Sequence, residues 1–129
     1  MVSIAPPHGL TAKRGGTVNG SLEVTIQSGY HVNSDKPKDE FLIPLKLTWM
    51  RGPLVARRIV YPSPGQVKVG SDTLDVFTGT FAITTEFAVP QNAETGLAMM
   101  VGTLHYQACD SQSCKRPSSM NVQAPVTIQ

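Results

Sequence analysis

The chain has 129 residues, 40% hydrophobic and 16% charged, with a formal net charge of +2. That length suits a single domain with an ordinary globular core, and the balance excludes a disordered chain. The small charge without a long basic run gives nucleic-acid binding no support, and no stretch holds the roughly 18 apolar residues of a membrane-crossing helix.

The first ten residues, MVSIAPPHGL, have neither a charged n-region nor an apolar h-region, so they do not read as a signal peptide. An exported protein would carry its leader outside this sequence. Residues 1–16 are expected as a Pro-rich N-terminal arm, ahead of a domain spanning 17–129. From there period-two alternation dominates. Leu22, Val24 and Ile26 alternate with Glu23, Thr25 and Gln27, and Leu45, Leu47 and Trp49 alternate with Lys46 and Thr48, as half-buried strands do. ARRIVYP is a shorter candidate, and FTGTFAITTEFAV is rich in β-branched and aromatic residues. LAMMVGTLHYQA is apolar on both faces in its first half, which predicts a central strand. NVQAPVTIQ alternates again, with Val122, Ala124, Val126 and Ile128 inward, and Pro125 predicts an edge or an outward-facing position. Turn residues separate these runs at 14–16, 33–40, 51–53, 61–65 and 90–96, the last with room for one turn of helix. About seven short strands with no useful helical period predict an all-β, antiparallel sandwich.

The two cysteines, Cys109 and Cys114, lie in LHYQACDSQSCKRP with four residues between them. As a staple the pair is weak: a bridge closing about six residues stabilises by only ~2 kcal/mol in the chain-entropy model, against ~4 kcal/mol for one closing about 60. A structural zinc site needs four ligands, and His105 is the only imidazole nearby in sequence, with His8 and His31 far away. No metal and no cofactor is therefore expected. A redox couple fits the polar loop DSQS between the cysteines. Lys115 and Arg116 favour a thiolate at Cys114, whereas Asp110 opposes one at Cys109. Staple and redox couple both remain open at this point.

YQACDSQSC followed by Pro117 resembles the motif Y-Q-x-C-(x4 or x5)-C-x-x-P of the N-terminal, immunoglobulin-like domain of thiol:disulfide interchange proteins of the DsbD type. GYHVNSDKPKDEFLIPLKL (29–47) and VYPSPGQVKV (60–69) are similar to two further segments of that family, in the same order. The resemblance runs from about Leu22 to Ile128. It implies an immunoglobulin-like β-sandwich working in the periplasm as a thiol–disulfide oxidoreductase. Its reducing equivalents would come from a thioredoxin-like domain of a membrane electron conduit. They would pass to oxidised periplasmic proteins such as a disulfide isomerase or cytochrome c maturation factors. Cys109 and Cys114 would be the redox pair, supported by Tyr106, Gln107, Lys115, Arg116 and Pro117. The family's cap loop matches LDVFTG (74–79), with Phe77 as the shielding ring and Asp75 as its acidic neighbour, although Phe77 also reads as an inward-packing strand residue. Tyr30 and His31 are expected as structural residues of a turn continued by Asn33 and Ser34, and Trp49 as core. Lys115 and Arg116 stand where many relatives have an apolar residue and a proline, which makes the rim more basic. The other class of function is a non-catalytic binding or adaptor sandwich whose short disulfide stiffens a loop.

Overall fold

Each alternating run becomes a strand because burying one face of a pleated segment leaves its polar residues in water. A computed structural model describes all 129 residues and contains twelve strands. In chain order these are β1 (Val2–Ala5), β2 (Leu10–Ala12), β3 (Thr17–Ile26), β4 (His31–Asn33), β5 (Lys46–Trp49) and β6 (Val55–Val60). They are followed by β7 (Gly65–Val69), β8 (Asp72–Phe77), β9 (Thr80–Ala88), β10 (Gly96–Tyr106), β11 (Ala108–Cys109) and β12 (Ser118–Ile128). Sheet β1-β3-β9-β6 packs on sheet β2-β12-β10-β5, and a third sheet, β11-β4-β8-β7, carries Cys109. Every ladder is antiparallel except the short parallel pairing of β2 with β12. The all-β sandwich is as expected.

Two apolar clusters fill the space between the sheets. Leu22, Val24 and Ile26 of β3 and Ile83 of β9 meet Leu47, Leu104 and Val122 in the first. Phe87, Met100, Ala124, Val126 and Ile128 centre the second. Trp49 bridges the sheets: its ring meets Phe87 edge-on at 5.2 Å, and its Nε1–H donates to the buried Thr85 hydroxyl at 2.9 Å. Gly102 makes room for that ring. A Cβ there would lie 2.7 Å from the Thr48 carbonyl oxygen and 2.8 Å from the indole.

Four local expectations come out differently. Residues 1–16 do not stand apart from the sandwich: β1 joins one sheet and β2 the other, with Val2 and Ile4 against the first cluster and Leu10 and Ala12 in the second. Pro6 and Pro7 separate the two strands where the chain changes sheet. The run FTGTFAITTEFAV is two strands, because Gly79 takes a positive φ of 65° and turns β8 into β9. Segment 90–96 is a turn closed by Ala93 N–H donating to the Pro90 carbonyl, not a helix. β10 is central, between β12 and β5, yet Leu97, Met99 and Val101 on its outer face are exposed. Its centrality comes from two hydrogen-bonded neighbours, not from burial on both faces. Pro125 lies just before β2 begins to pair at Val126, so the proline sits where β12 is still paired on one flank only.

Replacing Thr85 with valine keeps the shape but removes the acceptor of the Trp49 N–H. The expected loss is about 1–3 kcal/mol of unfolding free energy, read as a lower urea midpoint with an unchanged slope.

Candidate functional site

The chain leaves the sandwich core at the end of β10 and enters β11, a two-residue strand that pairs with β4. Ala108 lies opposite Val32 and Cys109 opposite His31, while Val32 is paired on its other side with Phe77. Cys109 and Cys114 form a disulfide with their Cα atoms 4.0 Å apart. The loop between them is closed independently of sulfur. Asp110 N–H donates to the Ser113 carbonyl at 2.9 Å, and Lys115 N–H to the Ala108 carbonyl at 2.8 Å. The Asp110 carboxylate accepts from the backbone N–H groups of Gln112 and Ser113 at 2.8 and 2.7 Å. The two sulfur-bearing residues differ in access: Cys109 is only 5% exposed, whereas Cys114 is on the surface.

Paired residues share a face of a sheet and successive residues alternate. Phe77, Val32 and Ala108 therefore face the first core cluster together. Cys109 and His31 project from the opposite face and are still buried. On that side a cleft of about 480 Å3 opens beside the cysteine loop, lined by Tyr30, His31, Val67, Lys68, Val69 and Ser111 among others. The expected cap segment lies next to this ladder. Segment 74–79 is mostly strand β8, and Phe77 is a core residue packed on Phe81 with ring centroids 4.9 Å apart. Its ring lies on the other side of the ladder from Cys109, because Phe77 is in register with Ala108. Asp75 accepts from Gln66 of β7 at 3.3 Å and, through its carbonyl, from Ser34 N–H at 3.0 Å. Both interactions tie β8 to its surroundings and neither reaches the cysteine loop.

The other expected supports gather round the loop. The Gln107 amide donates to the Lys115 carbonyl at 3.1 Å and links the two strands of chain that enter and leave it. Tyr106 is half-buried against the first core cluster. Lys115, Arg116 and Pro117 are exposed on the stretch leading into β12, and the Arg116 carbonyl accepts from Ser118 Oγ at 3.3 Å. No three His, Cys, Asp or Glu side chains converge as a metal site would require.

Sequence reasoning undervalued two residues. His31 is not in a turn but in β4, directly across from Cys109. Burial lowers its pKa below the usual histidine value, with the Asp110 charge opposing that shift. Asp110 was weighed only as a charge, whereas its main contact is with backbone N–H groups. Those bonds from Gln112 and Ser113, and secondarily the Lys115 charge, hold its carboxyl below the ordinary carboxylate range. An Asp opening a short polar loop is an Asx-turn signal, so the second role was legible in DSQS.

The family model described as "Thiol:disulfide interchange protein DsbD, N-terminal" matches residues 4–124. The chain belongs to this family. Among solved structures, the N-terminal periplasmic domain of ScsB from Proteus mirabilis is similar at a TM-score of 0.62 and 17% identity. That match covers 94% of this chain and 44% of the other, so this chain spans less than half of that relative. The DsbD N-terminal domain of Neisseria meningitidis, in its reduced form, is similar at 0.52 and 14%, covering 96% and 86%. A type I cohesin from Pseudobacteroides cellulosolvens is similar at 0.55 and 12%, covering 99% and 92%. No match was found among curated protein sequences. At these identities the structural likenesses speak for an immunoglobulin-like fold alone, which cohesins share. The DsbD N-terminal family membership, with the paired cysteines, identifies a thiol–disulfide exchange domain.

Two outcomes follow from the placements. Phe77→Ala removes a core ring and should cost about 3–5 kcal/mol of stability in denaturant unfolding, as a cavity does. A ring that serves only as core should leave the rate of small-oxidant attack on the reduced loop unchanged under native conditions, whereas loss of a shielding ring should raise it. The lowered pKa of His31 means that the unfolded chain takes up its proton first. Its contribution is present above about pH 6.5 and is lost as pH falls from there through the folded value. In His31→Gln, the fall in urea midpoint between about pH 7 and pH 5 should be shallower than in the parent.

Proposed function

We propose that the domain relays reducing equivalents in the periplasm, from a thioredoxin-like domain of a membrane electron conduit to oxidised thiol proteins. Disulfide isomerases and cytochrome c maturation factors are the kind of client the reading implies. The observation that carries it is the asymmetric disulfide, one sulfur exposed and one buried, in a domain of this family. An incoming thiolate reaches Cys114 Sγ. The Cys109–Cys114 bond breaks, Cys109 leaves as a thiolate and takes up a proton, and a mixed disulfide joins Cys114 to the partner. The partner's second thiol then attacks its own sulfur in that bond. The partner leaves oxidised, and the domain holds two thiols and two more electrons.

Delivery is the reverse sequence. Cys114, as thiolate, attacks a client disulfide, and Cys109 closes back on Cys114 to release the client as a dithiol. The exposed Lys115 and Arg116 next to Cys114 favour its thiolate and bias docking toward acidic rims. Buried Cys109 is protected from adventitious oxidants by its position and needs no partner to reach it. Loop closure alone gives the bridge little structural purpose, which favours a bond meant to open.

The test is a trapping experiment. With Cys109→Ser, Cys114 is left without its internal partner and should accumulate a mixed disulfide with a thioredoxin-like protein. Cys114→Ser should accumulate little. The same domain should show a reduction potential of about −270 to −180 mV, between thioredoxin and a periplasmic isomerase. A potential well below about −300 mV, with no trapped adduct, would mark a structural bridge and hence an adaptor domain.

A further inference from the structure

Apart from the cleft beside the loop and the exposed outer face of β10, the cysteine loop itself holds a cluster of short hydrogen bonds centred on Asp110. We infer that Asp110 is a positioning residue for thiol–disulfide exchange: its carboxylate holds the loop closed, so that Cys109 and Cys114 remain within bonding reach when the disulfide is open. The inference rests on the exchange reading of the pair.

The carboxylate accepts two charge-assisted bonds, from Gln112 N–H at 2.8 Å and Ser113 N–H at 2.7 Å, while Asp110 N–H returns to the Ser113 carbonyl at 2.9 Å. These three bonds span the segment that joins the cysteines, and none uses a sulfur atom. One residue further out, Lys115 N–H to the Ala108 carbonyl at 2.8 Å closes the neck of the loop. Cys109 is anchored from behind by β4. Breaking the disulfide therefore removes one of several closures. The carboxyl is held in its ionised form chiefly by the same two N–H groups, so the acceptor is in place throughout the range in which thiols exchange.

The consequence lies in the closing step. Cys109 thiolate attacks Cys114 Sγ in a mixed disulfide. The internal S–S bond forms, the bond from Cys114 to the partner breaks, and the partner sulfur leaves as a thiolate and takes up a proton. Two electrons pass to the partner. Held geometry raises the effective concentration of Cys109 at Cys114. The carboxylate's charge acts the other way, by disfavouring a thiolate at Cys109. At the loop surface that effect is weakened by solvent and salt, so geometry outweighs charge.

The two effects separate by substitution. Asp110→Asn keeps a side-chain oxygen suited to this turn and loses the charge, and Asp110→Ala loses both. The whole domain, reduced and then exposed to oxidised glutathione, is read by mass for the Cys114–glutathione adduct. Its equilibrium with dithiothreitol is read by thiol trapping. In Asp110→Ala the adduct should accumulate, and the equilibrium should move about fivefold toward the dithiol. Asp110→Asn should stay within about twofold of the parent. Parent-like behaviour of Asp110→Ala in both readouts overturns the inference. So does Asp110→Asn behaving as Asp110→Ala, which would assign the effect to charge. Both readouts compare variants, so they remain readable even if the parent resists a thioredoxin-like reductant and the relay itself fails.

Discussion

The site depends on one short strand. β4 has only three residues, and all three are buried, because one sheet neighbour carries the cysteine and the other carries a core aromatic. Val32 is gripped between Ala108 and Phe77, and all three belong to the first core cluster. That triplet couples the start of the cysteine loop to the packing of the sandwich. His31 and Cys109 then have to project from the far side of the same ladder, since adjacent residues in a strand alternate. The buried position of Cys109 is thus a by-product of register.

The loop beyond Cys109 has a different source of order. It buries little and crosses no core, and its shape comes from short-range hydrogen bonds between Ala108 and Lys115 and from the Asp110 carboxylate. Cys109 is held by long-range pairing and Cys114 by local turn chemistry. This division suits exchange. The inner sulfur stays where the fold puts it, and the outer sulfur is open to a partner while the local bonds hold it near its mate.

The sandwich beneath serves as a rigid mount. The contacts of Trp49 with Phe87 and Thr85 lock the two sheets together, and β10 runs unbroken from that joint to Tyr106, next to the site. The same architecture appears in cohesin domains, so the fold by itself does not select a chemistry. The cysteine loop does, through its sulfur pair and its place in the family's pattern.

Alternation along β3, β5 and β12 was legible in the sequence because each has a single buried face, and period two is then written directly into residue choice; β9 was legible only by its β-branched and aromatic content, and β10 only as an apolar run. The cysteine pair was legible because its spacing and flanking residues are local features. Only the tertiary structure decided the rest. β1 and β2 are too short to show a period, and they are strands because β3 and β12 offer them free edges. Phe77 read as a lid or as core with equal ease, and the register of β8 on β4 turned it inward. His31 and Cys109 are 78 positions apart in the chain, and no local pattern brings them opposite each other. Long-range pairing does, because burying Val32 and Ala108 on one face leaves no other place for their neighbours.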